Sequence, residues 1–184
     1  MTSKKKVLVV STSLRAKSNS DALAREFARG AESVGCEVEY VSLRGKKIAF
    51  CVGCLTCMET GKCAIRDDAA ELERKILDVE VVVWATPIYY YEISGQMKTL
   101  IDRLNPIYSK DYRFRDVYLL TTAAEDAEFV PERAITAVEG WIACLPKARL
   151  KGTLFCGGVS GPDEIQGSPK LKEAFELGAS LGDV

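Results

Sequence analysis

Four short runs of consecutive apolar residues punctuate the chain: VLVVST at 7–12, VVVWAT at 81–86, VYLLTT at 117–122 and TLFCGG at 153–158. Being continuous rather than alternating, they predict strands buried on both faces. A fifth run, EVEYVSL at 37–43, alternates apolar and polar residues and predicts a strand nearer a sheet edge. Stretches with helical spacing lie between and after these runs, at roughly 19–34, 68–78, 95–105, 130–145 and 168–181. Strand and helix thus alternate five times, which predicts a parallel sheet with right-handed crossovers and helices on both faces. No repeat, linker or low-complexity tract interrupts the order, so the expectation is one domain over residues 1–184.

Charge changes little in this picture. Lys plus Arg number 25 and Asp plus Glu 26, a formal net charge of -1, which gives no reason to expect nucleic acid or an anionic membrane as partner. No segment approaches the apolar length of a membrane span, and the first apolar run is too short for a signal peptide, so a cytoplasmic location is expected. In that reducing setting the seven cysteines point to metal or redox thiols rather than a disulfide framework. The chain has no histidine. Ser-His-Asp and Cys-His catalysis and histidine acid–base chemistry are therefore excluded, and a reaction here rests on a cofactor, thiols or carboxylates.

The strands end in small or hydroxyl residues: Ser11-Thr12-Ser13, Thr86-Pro87, Thr121-Thr122 and Gly157-Gly158. In open α/β sheets the carboxyl edge is where ligands bind. The loop after the first strand offers Ser11, Thr12, Ser13, Ser18, Asn19 and Ser20 as donors and Arg15 as a cation, just ahead of a helix amino terminus. That combination suits a phosphate; helix capping by Ser18, Asn19 or Ser20 is the plainer alternative. Neither a Walker A loop nor a G-x-G-x-x-G turn is present. After the third strand, ATPIYYYEISGQMKTLIDRL at 85–104 carries three consecutive tyrosines. Tyr89 and Tyr90 are placed to flank a flat heteroaromatic ring, Tyr91 reads as a packing or subunit-contact residue, and Lys98 with Asp102 has the spacing of a helix-surface ion pair.

Taken together, S-x-R-x-x-S-N-S after the first strand, TPIYxxxxSGxMKxxIDR after the third and TTAAED after the fourth resemble the NAD(P)H-dependent FMN reductase family of flavodoxin-like flavoproteins. The resemblance implies a flavodoxin-like three-layer α/β sandwich with a five-stranded parallel sheet of order 2-1-3-4-5 and FMN at its carboxyl edge. It implies that Ser13, Arg15, Ser18, Asn19 and Ser20, beside Ser11, hold the phosphate. Pro87, Ile88, Tyr89, Tyr90 and Ser94, beside Thr86, would line the isoalloxazine side, and Thr122, Ala123 and Ala124 the third wall. A flavin carries hydride and single-electron chemistry itself, which suits a chain without histidine.

Cys51, Cys54, Cys57 and Cys63 follow C-x2-C-x2-C-x5-C, a spacing able to wrap an iron–sulfur cubane. Zinc is the weaker metal reading, since four-cysteine zinc sites more often use two separated pairs, and free or reversibly oxidised thiols are a third. The spacing resembles the iron–sulfur flavoproteins, a branch of the same group, which carry a [4Fe–4S] cluster beside FMN. Asp68 and Glu71 fit a helix-capping pair. Cys36, Cys144 and Cys156 read as small buried residues, and Trp141 as a core or subunit contact.

The leading expectation is an FMN-dependent oxidoreductase passing electrons from NAD(P)H to a quinone, another small acceptor or a redox protein. An iron–sulfur electron carrier and a non-enzymatic thiol or metal sensor are the alternatives. The tyrosine-rich segment suggests a flavin site completed by a second subunit, hence a homodimer or homotetramer.

Overall fold

The computed structural model describes residues 4–182. Its elements are β1 (Lys6–Ser11), α1 (Asn19–Ser33), β2 (Glu37–Ser42), α2 (Thr56–Thr60), α3 (Ala69–Leu77), β3 (Val81–Tyr89), β4 (Glu92–Ile93), α4 (Gly95–Arg103), β5 (Asp116–Thr122), α5 (Glu132–Ala143), β6 (Arg149–Cys156) and α6 (Pro169–Ala179). The strands run in the order β2-β1-β3-β5-β6, parallel throughout, and β4 pairs antiparallel with the end of β3. With the two-residue β4 set aside, this is the expected flavodoxin-like order.

Side-chain alternation explains the layering. Val7, Val9, Val81 and Val83 face α1 and α6, where they meet Leu23, Phe27 and Ala174. Leu8, Val10, Val82 and Trp84 face α3, α4 and α5, where they meet Leu72, Met97, Leu100 and Val138. Strands buried on both faces cannot alternate in polarity, which is why the apolar runs were continuous. The fully buried Trp84 ring meets Trp141 edge-on at 5.8 Å, and Trp141 stacks on Phe114 at 5.9 Å. Such pairs add about 0.5–1.5 kcal/mol beyond area burial. Trp141 is thus a core contact of α5.

β2 is an edge strand, as its alternation predicts. β6, at the other edge, starts at Arg149, four residues ahead of its apolar run, and its first half is half-exposed. The outer edge needs no partner on its second face, so the polar residues there were compatible with a strand. Two elements have no counterpart in the apolar pattern: the short α2 inside the cysteine loop and the β3–β4 hairpin. No helix among the described residues is long and apolar enough to cross a membrane.

Candidate functional site

Four loops at the carboxyl edge of the sheet enclose a cavity of about 230 Å³. Ser13, Arg15, Ser18 and Asn19 line it from the β1–α1 loop, Pro87, Ile88 and Tyr89 from the end of β3, and Thr122, Ala123 and Ala124 from the end of β5. The segments named from sequence are therefore brought together. Val159 and Ser160, from the loop after β6, complete the lining.

The amino terminus of α1 is open. Ser18 is the N-cap with extended backbone, yet its side chain makes no capping bond; its hydroxyl instead pairs with that of Ser20 at 3.1 Å. The first-turn N–H groups and the positive end of the helix dipole are consequently left beside the cavity. Ser13 Oγ accepts the Arg15 N–H at 3.3 Å, which shapes the loop, and the Arg15 guanidinium donates to the Ser160 carbonyl. Asn19 spans the same gap: its amide donates to the Gly161 carbonyl at 2.9 Å and its oxygen accepts the Ile165 N–H at 3.2 Å. These contacts join residues more than 140 positions apart. They are the reason Val159 and Ser160 escaped sequence reasoning, although Gly157-Gly158 had marked the strand end.

Five expected residues do not line the cavity. Ser11 is buried on the opposite face, beside Asp21 and Tyr40; there burial and the Asp21 carboxylate push the Tyr40 phenol up to about 12. Ser20 lies behind Ser18 and is fully buried. Thr86 and Ser94 form a buried network beneath the hairpin: Thr86 Oγ1 accepts the Ser94 N–H at 3.1 Å, Ser94 Oγ meets Thr12 Oγ1 at 3.1 Å, and Ser94 Oγ caps α4 through the Met97 N–H at 3.3 Å. They position the wall rather than form it. Tyr90 stands 99% exposed at the hairpin tip.

That tip is unusual. Tyr89 pairs with Glu92, so Tyr90 and Tyr91 form a two-residue turn, and both have positive φ, 50° and 65°. This is the pattern of a type I′ turn, for which Asn and Gly are the ordinary residues. Tyr91 is held there by its hydroxyl, which donates to Glu125 Oε2 at 2.8 Å, and by its ring, which packs on Phe129 at 5.9 Å. It acts as the expected packing residue, and hydrogen bonding to Glu125 raises its phenol pKa. A larger cavity of about 710 Å³ lies on the other side of Tyr89, walled by Leu14, Leu43, Ile48 and Phe50 and floored by the α4 face carrying Gln96, Lys98 and Thr99. Lys98 pairs with Asp102 at 2.6 Å, as its spacing predicts.

Cys51, Cys54, Cys57 and Cys63 line one small cavity of about 20 Å³ with Val52, Leu55, Ile65 and Pro106. Burial and the three neighbouring sulfurs push the Cys57 thiol up. Hydrogen bonds from the side chain and backbone of Thr56 hold Cys54 below its ordinary value. Among the described residues, no three or more Cys, Asp or Glu side chains stand close enough to share one metal ion. The four thiols thus share a wall without being drawn to bonding distance.

Other expectations around this loop need correction. Asp68 occupies the N-cap of α3 without capping it: its carboxylate accepts the Lys47 N–H at 2.6 Å, and Glu71 pairs with Lys46 and Lys75. Asp67 accepts the Ala69 N–H instead, at 3.1 Å. Of the remaining cysteines only Cys156 is buried; Cys36 is half-buried and Cys144 exposed, because Cys144 ends α5 on its solvent side, its thiol donating to the Gly140 carbonyl.

Comparison with known proteins supplies the family and the fold likeness. An "Iron-sulfur flavoprotein" of Archaeoglobus fulgidus is 47% identical over 75 residues, 41% of this chain and 34% of that one. The match therefore spans about a third of that relative's length. An "Iron-sulfur flavoprotein" of Methanosarcina thermophila is 23% identical over 180 residues, covering 97% of this chain and 94% of the relative. The solved NAD(P)H:quinone oxidoreductase of Methanothermobacter marburgensis shares the fold, with a TM-score of 0.72 at 16% identity over 97% of this chain and 98% of that one. Residues 5–146 match the family model described as NADPH-dependent FMN reductase, and the chain belongs to that family of oxidoreductases.

Proposed function

We propose that the chain binds FMN in the 230 Å³ cavity and passes electrons from NAD(P)H to a quinone or similar small acceptor. The observation that carries this reading is the uncapped start of α1 beside Arg15, Ser13 and Ser18, facing the walls built by Pro87–Tyr89 and Thr122–Ala124. An anion fits the first feature: open N–H groups, a helix dipole and a guanidinium supply donors and positive charge. A flat ring suits the second, where small Ala123 and Ala124 leave room against the β3 backbone. Bound there, FMN supplies the hydride and single-electron chemistry. The chain's own part is to seat the phosphate, fix the ring plane through the Thr86–Ser94 network, and leave one side accessible past Tyr89. The 710 Å³ cavity beyond Tyr89 provides space for a donor or acceptor next to the ring.

A second reading concerns the cysteine loop. Four thiols around one apolar cavity, in a chain without histidine, match the donor set of a [4Fe–4S] cluster, and the curated relatives carry iron–sulfur names. Cys51, Cys54, Cys57 and Cys63 would hold it, making the protein an electron carrier as well. Phe50, Val52, Leu55 and Met58 stand exposed in and beside the cysteine loop, and apolar side chains gathered on one exposed segment favour burial against a partner, which supports a homodimer or homotetramer.

The test is anaerobic spectroscopy of the FMN-loaded protein. NADH or NADPH should bleach the blue flavin band, and a quinone should restore it; a band unmoved by either nucleotide contradicts the reductase reading. Iron and acid-labile sulfide near four each per chain support the cluster, and their absence after anaerobic reconstitution leaves the thiols free.

A further inference from the structure

The cysteine loop begins and ends on one buried side chain. Arg103, at the last turn of α4, is 1% exposed. Its Nη1 donates to the Ala49 carbonyl at 2.8 Å and to Asp67 Oδ2 at 2.7 Å. Its Nη2 donates to the Ile65 carbonyl at 3.0 Å and to Asp67 Oδ1 at 3.0 Å. Asp67 in turn accepts the Ala49 N–H at 2.8 Å. One guanidinium–carboxylate fork therefore closes the segment that opens two residues before Cys51 and shuts two residues after Cys63.

A guanidinium carries five N–H donors in a fixed plane, and four are used. The fifth, Nε–H, is buried and has no partner among the described residues. Buried donors are rarely left without an acceptor. Cys63 lies two residues before the Ile65 carbonyl that Nη2 holds, and Arg103 lines the same small cavity as all four cysteines of the loop. A sulfur bearing negative charge is the acceptor that this geometry lacks.

We propose that Arg103 is the positioning residue of the cysteine set: it clamps both ends of the 50–66 loop and donates its Nε–H to the Cys63 sulfur when that sulfur is bound as a thiolate. The second half rests on the cluster reading above; the clamp does not. Lysine cannot replace it, because a single ammonium reproduces neither the planar fork nor the fifth donor. A hydrogen bond to a ligating sulfur favours the reduced state of an iron–sulfur centre, so Arg103 raises its potential.

Two readouts on wild type and Arg103→Lys test this. Hydrogen exchange of the protein as purified should be about tenfold or more faster at amides 50–66 in the variant, while β1 and β5 stay protected; wild-type rates in the loop overturn the clamp. After anaerobic loading with ferrous iron and sulfide, the variant's iron–sulfur midpoint should lie below that of wild type. An unchanged midpoint with iron bound overturns the sulfur contact. Iron-free wild type sinks the cluster reading and the sulfur contact with it, and the exchange comparison still decides the clamp. If Arg103→Lys does not fold, Asp67→Asn breaks the same fork and carries the exchange comparison; it retains Nε–H, so its bound centre should keep a midpoint nearer wild type than an Arg103→Gln/Asp67→Asn pair does, and equal midpoints overturn the contact.

Discussion

Gly157 links two walls of the proposed flavin cavity, and replacing it by alanine tests whether those walls matter. A Cβ there would sit 2.4 Å from Asp126 Oδ1, 2.5 Å from Asp126 Cα and 2.7 Å from the Glu125 carbonyl oxygen. Two of these three atoms are backbone, so no rotamer change relieves the clash. To reach ordinary contact at 3.4 Å, the Asp126 Cα must retreat from 2.5 Å, a movement of about 0.9 Å, and overpacking of this kind costs about 1–3 kcal/mol. The displacement reaches the cavity because Ala123 N–H bonds to the Cys156 carbonyl at 3.1 Å and Val159 N–H to the Ala123 carbonyl at 3.0 Å. Ala123 and Val159 both line the cavity. At about 1.4 kcal/mol per tenfold, the expected loss in FMN affinity for Gly157→Ala is about tenfold or more. Gly140→Ala, on α5, is the control: its Cβ would meet nothing within 4 Å. Its affinity should stay within about threefold of wild type. Titration of FMN fluorescence quenching, with a thermal melt alongside, reads both. Wild-type affinity in Gly157→Ala, or equal losses in the two variants, would refute the reasoning.

Three further outcomes are expected. Arg15→Gln should weaken FMN about 10–100-fold, the worth of a charge-assisted hydrogen bond, yet leave riboflavin binding unchanged; an equal loss for both ligands would remove Arg15 from the phosphate seat. Tyr90→Asn should raise the melting temperature, since Asn accepts the positive φ of 50° at lower cost, and a 99% exposed ring loses no packing; strain of this type is about 1–3 kcal/mol, and an unchanged or lower melting temperature would argue against it. Burial raises the Asp67 pKa, but the Arg103 hydrogen bonds and the Ala49 and Ala69 N–H groups outweigh it, so the carboxyl titrates below 3.8. Its folded pKa being depressed, Asp67 stabilises the fold above about pH 4 and loses that contribution as pH falls through the folded value. Asp67→Asn should therefore cost about 3–5 kcal/mol at pH 7 in urea unfolding, with a gap to wild type that narrows in acid; a gap independent of pH would contradict this.

The fold was readable because its signal is local. Continuous apolar runs such as Val81–Trp84, short and rich in β-branched residues, point to strands covered on both faces, and strand–helix alternation then favours parallel pairing. Most of the cavity lining was readable for the same reason: Ser13 to Asn19, Pro87 to Tyr89 and Thr122 to Ala124 each directly follow or end a strand. What stayed hidden depends on contacts distant in sequence. Val159 and Ser160 reach the cavity through contacts with Ala123 and Arg15, and Asn19 holds the next residue, Gly161. Ser11 fell on the wrong face because residue parity in β1, rather than polarity, decides which way a side chain points. Thr86 and Ser94 have the chemistry of ligand contacts but spend their hydroxyls on the hairpin and the α4 cap. The Arg103–Asp67 fork had no local signature: the IDR that ends the motif after the third strand reads as a helix surface until the fold buries its arginine.

The measurement that tests the central claim most directly is a diffraction structure of the protein soaked in FMN. The account predicts phosphate density at the open amino terminus of α1 beside Arg15 and Ser13, with ring density between Pro87–Tyr89 and Thr122–Ala124. Flavin density elsewhere on the surface, or none in crystals that leave this cavity open, would contradict it.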